Sequence, residues 1–306
     1  YAVQNHRTLA RHEEENGPVV VEDGKTWLLH GTPRQKYELL NFELEVLSYL
    51  QVERGPLRAE LKATLESGET FEKPIEPKVF NRKDRFDDEI LGERFGTKFN
   101  IPQLGDRTPF VKDLLDALRM WVDQQDAPHR LGVRHMGLHG DEFALPGRTL
   151  RADGWAEEPE TVYLEREITP ERLVEMPSDT AEYDSSSVAE ILETVPFTRD
   201  AERLLPVLGW FYAAPFRPLI EKFTESGEFN HLNVTGDTGS GKTTTLSYLW
   251  RCFGMAGEPF SVDSSNFAQV ATFSCTNSLP LWFDEYKPSD ISSYRLDFFH
   301  NLYRKA

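Results

Sequence analysis

Residues 236–243 read Gly236-Asp237-Thr238-Gly239-Ser240-Gly241-Lys242-Thr243, the pattern GxxxxGK[ST] with an additional glycine inside the loop. Each position has a physical task in holding phosphates. The glycines let the chain take backbone angles closed to other residues, so that successive N–H groups turn inward around an anion, helped by the N-terminus of the helix that follows. On this reading Gly236, Asp237, Thr238, Gly239, Ser240, Gly241, Lys242, Thr243 and Thr244 surround the phosphates of ATP. Lys242 reaches the β- and γ-phosphates, and Thr243 places its hydroxyl on Mg2+.

The flanks give the motif its expected context. His231 to Thr235 (HLNVT) reads as a short strand before the loop. After it, Leu246, Leu249, Trp250 and Phe253 recur on one face of a helix. Further on, the apolar run Leu279 to Phe283 (LPLWF) ends directly in Asp284 and Glu285. Acids at a strand tip suit a second half of the site. Asp284 would hold the Mg2+ shell, and Glu285 would orient and deprotonate the water that attacks the γ-phosphate. Between the two motifs, Phe260 to Val262 reads as a strand and Asn266 to Phe273 as a helix capped by Ser264 or Ser265. Alternation of this kind predicts a parallel α/β P-loop sheet with helices on its faces. A helix from about Asp290 to Arg304 follows, and the chain stops before the further strands of a complete core, so the expectation is a truncated one.

Upstream, Phe42 to Val52 (FELEVLSYLQV) and Arg58 to Glu66 (RAELKATLE) carry stretches of period two on either side of the turn residues Glu53 to Pro56, the mark of a hairpin. Of two helices that follow, the second is signalled by Thr108 as N-cap, Pro109 at the first position, and Phe110, Leu114, Leu115, Leu118 and Trp121 at helical spacing. Arg134 to Pro146 reads as a strand pair turning at His139 to Asp141, with a short strand at Thr161 to Glu165. These elements predict an α+β domain over residues 1–175. An acidic linker with one short helix from Ser186 or Ser187 occupies 176–200, and the ATPase core begins at 201. Ala201 to Phe223 is apolar, with Pro206, Pro215 and Pro218 expected to cut it into short helices.

Composition narrows the class. Hydrophobic residues make up 39% of the 306 positions and aromatics 12%, too rich for a disordered chain. The longest apolar run, Leu204 to Phe216, is too short to span a bilayer, which argues against a membrane partner. Tyr1 in place of Met reads as a piece cut from a longer chain. Cys252 and Cys275 lack zinc or redox spacing, which suits a reducing cytoplasm. The net charge of -17, spread over every segment, suggests a surface adapted to high salt and disfavours nonspecific DNA binding at ordinary salt.

Two weaker signals have ordinary explanations. His135 and His139 stand in an HxxxH spacing, but Gly137 and Gly140 place them on strands and turns, where that spacing does not bring the rings together. Arg82, Lys83 and Arg85 are interleaved with Asp84, Asp87, Asp88 and Glu89, which reads as a self-paired, solvated segment.

The stretches GDTGSGKTTTLSYLWRCFG (236–254), SCTNSLPLWFDEYKPSDI (274–291) and FFHNLYRKA (298–306), with MGLHGDEFALPG (136–147) ahead of them, resemble the P-loop replication helicases of plasmids, phages and integrated mobile elements. These are AAA+-like, related to the minichromosome maintenance helicases and often fused to a primase. The resemblance implies a homo-oligomeric ring, possibly a hexamer, with ATP between subunits, an arginine finger from the neighbour and DNA as the partner. Arg295 and Arg304 are the only arginines after Glu285. Two other classes stay open: an oligomerisation switch or defence and assembly ATPase that does not move along DNA, and a nucleotide-binding module that does not hydrolyse.

Overall fold

A computed structural model describes residues 18–30, 35–53, 55–86, 88–89, 108–166, 168–175, 185–225, 228–262 and 264–284. The chain divides into two compact units, Tyr1–Gly132 and Val133–Ala306.

In the first unit, β1 (Val19–Glu22), β2 (Lys25–His30) and β3 (Gln35–Leu40) pair antiparallel in sequence order. Asp23 and Gly24 turn β1 into β2 with φ of 53° and 75°, the double left-handed pair of a tight hairpin whose twist suits the flanking strands. A second sheet runs β7-β4-β5-β6, from β4 (Phe42–Val52), β5 (Arg58–Leu65), β6 (Thr70–Ile75) and β7 (His129–Val133). The expected hairpin is β4–β5, antiparallel with a register shift between Val46 and Ser48. An irregularity of this kind changes which parity of residue faces the core. Phe42 and Leu44 precede it and Tyr49 follows it, yet all three belong to one buried cluster.

Helix α1 (Thr108–Asp123) covers that cluster with Leu115, Leu118, Trp121 and Val122. Tyr49 ties sheet to helix: its hydroxyl lies 2.5 Å from the Val122 carbonyl and 3.0 Å from that of Gln125, at the helix end where carbonyls lack intrahelical partners.

The second unit opens with the antiparallel strands β8 (Gly137–His139), β9 (Glu142–Leu145), β10 (Arg148–Arg151) and β11 (Gly154–Trp155), followed by β12 (Thr161–Tyr163). Helices α2 (Ser185–Thr194), α3 (Ala201–Ala213), α4 (Arg217–Phe223), α5 (Lys242–Arg251) and α6 (Asn266–Phe273) follow, with the two-residue strands β13 (Phe260–Ser261) and β14 (Phe283–Asp284). Pro206 does not cut its segment as expected; it is carried inside α3, where Leu204, Leu208 and Phe211 pack with Leu249 of α5 and offset the lost backbone bond.

The expected fold, a parallel α/β P-loop sheet preceded by an α+β domain, is overturned. Strand pairing among the described residues is mostly antiparallel or mixed. Parallel ladders include β4 with β7 and the two-residue match of β13 with β14. His231–Thr235 forms no strand. The physical reason lies in the sequence: only Leu232 and Val234 in HLNVT are aliphatic and both are half-buried, whereas a central parallel strand needs an apolar run covered on both faces. Its approach is held to α3 instead, through Trp210 Nε1, which donates to the Asn230 carbonyl at 2.6 Å, and the Trp210–Phe229 ring contact.

Within the second unit, the strands β8 to β12 and the later helices share one core. Val133, Met136, Ala144, Leu145 and Tyr163 are buried with Trp250, Met255, Cys275 and Leu279. Met136 N–H donates to the Cys275 carbonyl (2.7 Å), Asn277 N–H returns to the Met136 carbonyl (2.9 Å), and Leu138 N–H donates to Ser278 Oγ (2.9 Å). Gly137 permits this approach: a Cβ there would stand 2.1 Å from Asn277 Oδ1. No helix among the described residues is long and apolar enough to cross a membrane.

Candidate nucleotide site

Residues 236–241 form a loop that closes on the side chain of Lys242. Asp237 to Ser240 make a turn, with Ser240 N–H donating to the Asp237 carbonyl at 3.2 Å. Gly239 and Gly241 take φ of 79° and 80°, a conformation that costs other residues about 1 kcal/mol or more. Gly241 is the N-cap of α5 and offers no side-chain acceptor. The first intrahelical bond is Thr245 N–H to the Gly241 carbonyl (3.0 Å), and the Thr245 hydroxyl donates to the same oxygen at 2.9 Å. The amides at the start of α5 thus have no acceptor within the helix, and the positive end of its dipole faces the loop.

The Lys242 ammonium donates to the Gly236 carbonyl (2.7 Å), the Asp237 carbonyl (2.8 Å) and Ser240 Oγ (3.3 Å). These bonds curl the loop around the ammonium without neutralising it, because every acceptor is uncharged. Thr243 and Thr244 are exposed on the first turn. Leu249 and Trp250 are buried on the opposite side and anchor the helix. Trp250 Nε1 donates to the Pro280 carbonyl at 2.9 Å, and its ring meets Trp282 and Phe260 edge-on. The apolar run before Asp284 therefore packs on the helix that carries Lys242.

Asp284 ends β14 opposite Ser261 and is half-buried. Glu285, Arg295 and Arg304 lie outside the described residues. Among the described residues no cluster of three or more His, Cys, Asp or Glu is placed to hold a metal.

Sequence reasoning missed Arg199. Its Nη1 donates to the Ser240 carbonyl at 2.9 Å, so a side chain from outside the motif grips the loop. Nothing in the local sequence distinguishes this arginine, which stands in an acidic segment beside the N-cap Asp200.

The weaker signals resolve as structure. His139 Nε2 lies 2.8 Å from the His135 carbonyl, a local backbone contact. Arg82 pairs with Asp84, its Nε donating at 2.9 Å. A buried carboxylate elsewhere in the unit has a structural role. Glu142 accepts from Arg151 (2.6 and 2.9 Å) and from the amides of Glu160 (3.0 Å) and Thr161 (2.6 Å). Burial raises its pKa, but these hydrogen bonds outweigh burial and hold the carboxyl below its usual range.

Compared with known proteins, the chain matches no family model and no curated protein.

Proposed function

We propose that this protein binds ATP through the loop Gly236–Thr243 and hydrolyses it as part of a motor acting on nucleic acid. The observation that carries the nucleotide reading is the Lys242 ammonium, held inside a glycine-shaped loop by neutral oxygens at the amide end of α5. That combination of uncompensated cation, open amides and helix dipole suits a polyphosphate. Lys242 and the loop amides bind the phosphates and stabilise charge on the transferring group. Glu285 orients the attacking water and accepts its proton. Thr243 and Asp284 would hold Mg2+, which would supply charge neutralisation when bound.

DNA as the partner, a helicase role in replication of a mobile element, and a homo-oligomeric ring rest on the resemblance of the motif-bearing stretches. A reducing, cytoplasmic location accords with two free cysteines, one of them buried. The test is ATP turnover by the protein in molar salt, with and without single-stranded and forked DNA, beside Lys242→Ala and Glu285→Gln. Turnover that rises with DNA and is lost in both variants supports the motor. Turnover indifferent to DNA moves the reading to an oligomerisation switch.

A further inference from the structure

Arg199 lies between α2 and α3, outside the phosphate-loop motif, yet its guanidinium ends on the loop. Besides the bond to Ser240, its Nη2, Nη1 and Cζ stand 2.5, 2.7 and 2.9 Å from where a Cβ on Gly241 would be. Glycine at 241 therefore serves two needs, the left-handed backbone and the space the guanidinium fills. The neighbouring Asp200 caps α3, accepting from Glu202 N–H at 3.2 Å. Through α3, which packs with Leu249 of α5, Arg199 is fixed to the helix that follows the loop. The loop is gripped from within by Lys242 and from outside by Arg199.

Two cations at one helix N-terminus repel each other and the dipole. Among the described residues both meet the loop through neutral oxygens instead of a carboxylate. A polyanion in the loop relieves that repulsion. Arginine suits the outer position because its planar fork keeps further N–H donors after one is used.

We propose that Arg199 is a positioning residue of the phosphate loop: it holds Ser240 and Gly241 in the binding curvature and adds a second cation beside the polyphosphate. The assignment rests on the nucleotide reading of the loop. Its ligand is the polyphosphate moiety, so the base contributes nothing to the effect of Arg199.

The experiment titrates Mg-ATP and Mg-tripolyphosphate into the full chain, comparing the unaltered protein with Arg199→Ala, Arg199→Lys and Lys242→Ala, and records each protein's ligand-free unfolding temperature. The expected result is about tenfold weaker binding of both ligands in Arg199→Ala, the scale of one charge-assisted hydrogen bond. Arg199→Lys restores part of the loss, and the ligand-free unfolding temperature stays within a degree or so. Unchanged affinity in Arg199→Ala, with Lys242→Ala still weakening binding about a hundredfold or more, overturns the role of Arg199 and leaves the loop reading standing. Affinity unchanged in Lys242→Ala overturns both. A loss in Arg199→Ala that tracks a lower unfolding temperature and is not restored by lysine overturns the proposal in favour of simple packing.

Discussion

The ammonium of Lys242 lies 2.7 Å from the carbonyl oxygen of Gly236, so the residue that opens the loop and the residue that follows it are joined across its mouth. The loop holds its shape through this bond and through left-handed glycines, and both are open to mutation.

Gly241→Ala forces a Cβ into a backbone conformation at φ 80° and into the Arg199 guanidinium. The expected cost is about 1–2 kcal/mol of stability, from backbone strain alone. Urea unfolding measures it. Pairing it with Arg199→Ala relieves the steric part and leaves the strain, so the double variant should be more stable than the sum of the two singles.

Glu142 is depressed in the folded state, so its contribution to stability is complete above the unfolded glutamate pKa of about 4.3 and is lost as pH falls through the folded value. Arg151→Ala removes one partner of a carboxylate that is 2% exposed and should cost about 2 kcal/mol near neutral pH. The stability gap between the unaltered protein and Glu142→Gln should narrow as pH drops below about 4. A gap that is flat from pH 7 to pH 3 contradicts this account.

Trp250 is 1% exposed and its indole N–H is bonded to Pro280. Trp250→Ala should destabilise the second unit by about 3–5 kcal/mol, from the cavity and the lost contacts with Trp282 and Phe260. Trp250→Phe should cost less, about 1–3 kcal/mol, mainly by leaving the Pro280 carbonyl without its donor. Chemical denaturation followed by tryptophan fluorescence reads both.

Burial pushes the Cys275 thiol up to about 12, and its sulfur lies 2.8 Å from the Thr272 carbonyl. A maleimide at pH 7.5 should therefore leave Cys275 unmodified in the native protein and label it after unfolding. Mass spectrometry of the peptides distinguishes the two states. Rapid native labelling at Cys275 shows that this core opens locally.

Much of the local structure was legible because its cause is local. The cap Ser265, which accepts from Ala268 N–H at 3.2 Å, and the apolar face of α5 follow from residue type and spacing. So do the β4–β5 and β8–β9 hairpins. The Asp23-Gly24 pair, with φ of 53° and 75°, is a hairpin turn of the same local kind. The long-range arrangement was not legible. Short apolar runs such as LPLWF and HLNVT have the composition of sheet strands, but run length does not specify a partner, and of these two only the end of LPLWF, at Phe283–Asp284, forms a ladder, with Phe260–Ser261. Nothing near Met136 shows that its backbone bonds Cys275 and Asn277 far along the chain. Arg199 was invisible for the same reason: its function depends on where Ser240 ends up.

Whether the 236–243 loop binds nucleotide through Lys242 is decided by calorimetric titration of Mg-ATP into the protein and into Lys242→Ala at molar potassium chloride. Saturable, one-site binding is expected, weakening about a hundredfold or more in the variant, the scale of removing a charged donor from a phosphate contact. Binding of equal strength in the two proteins, or none in the unaltered one, contradicts it.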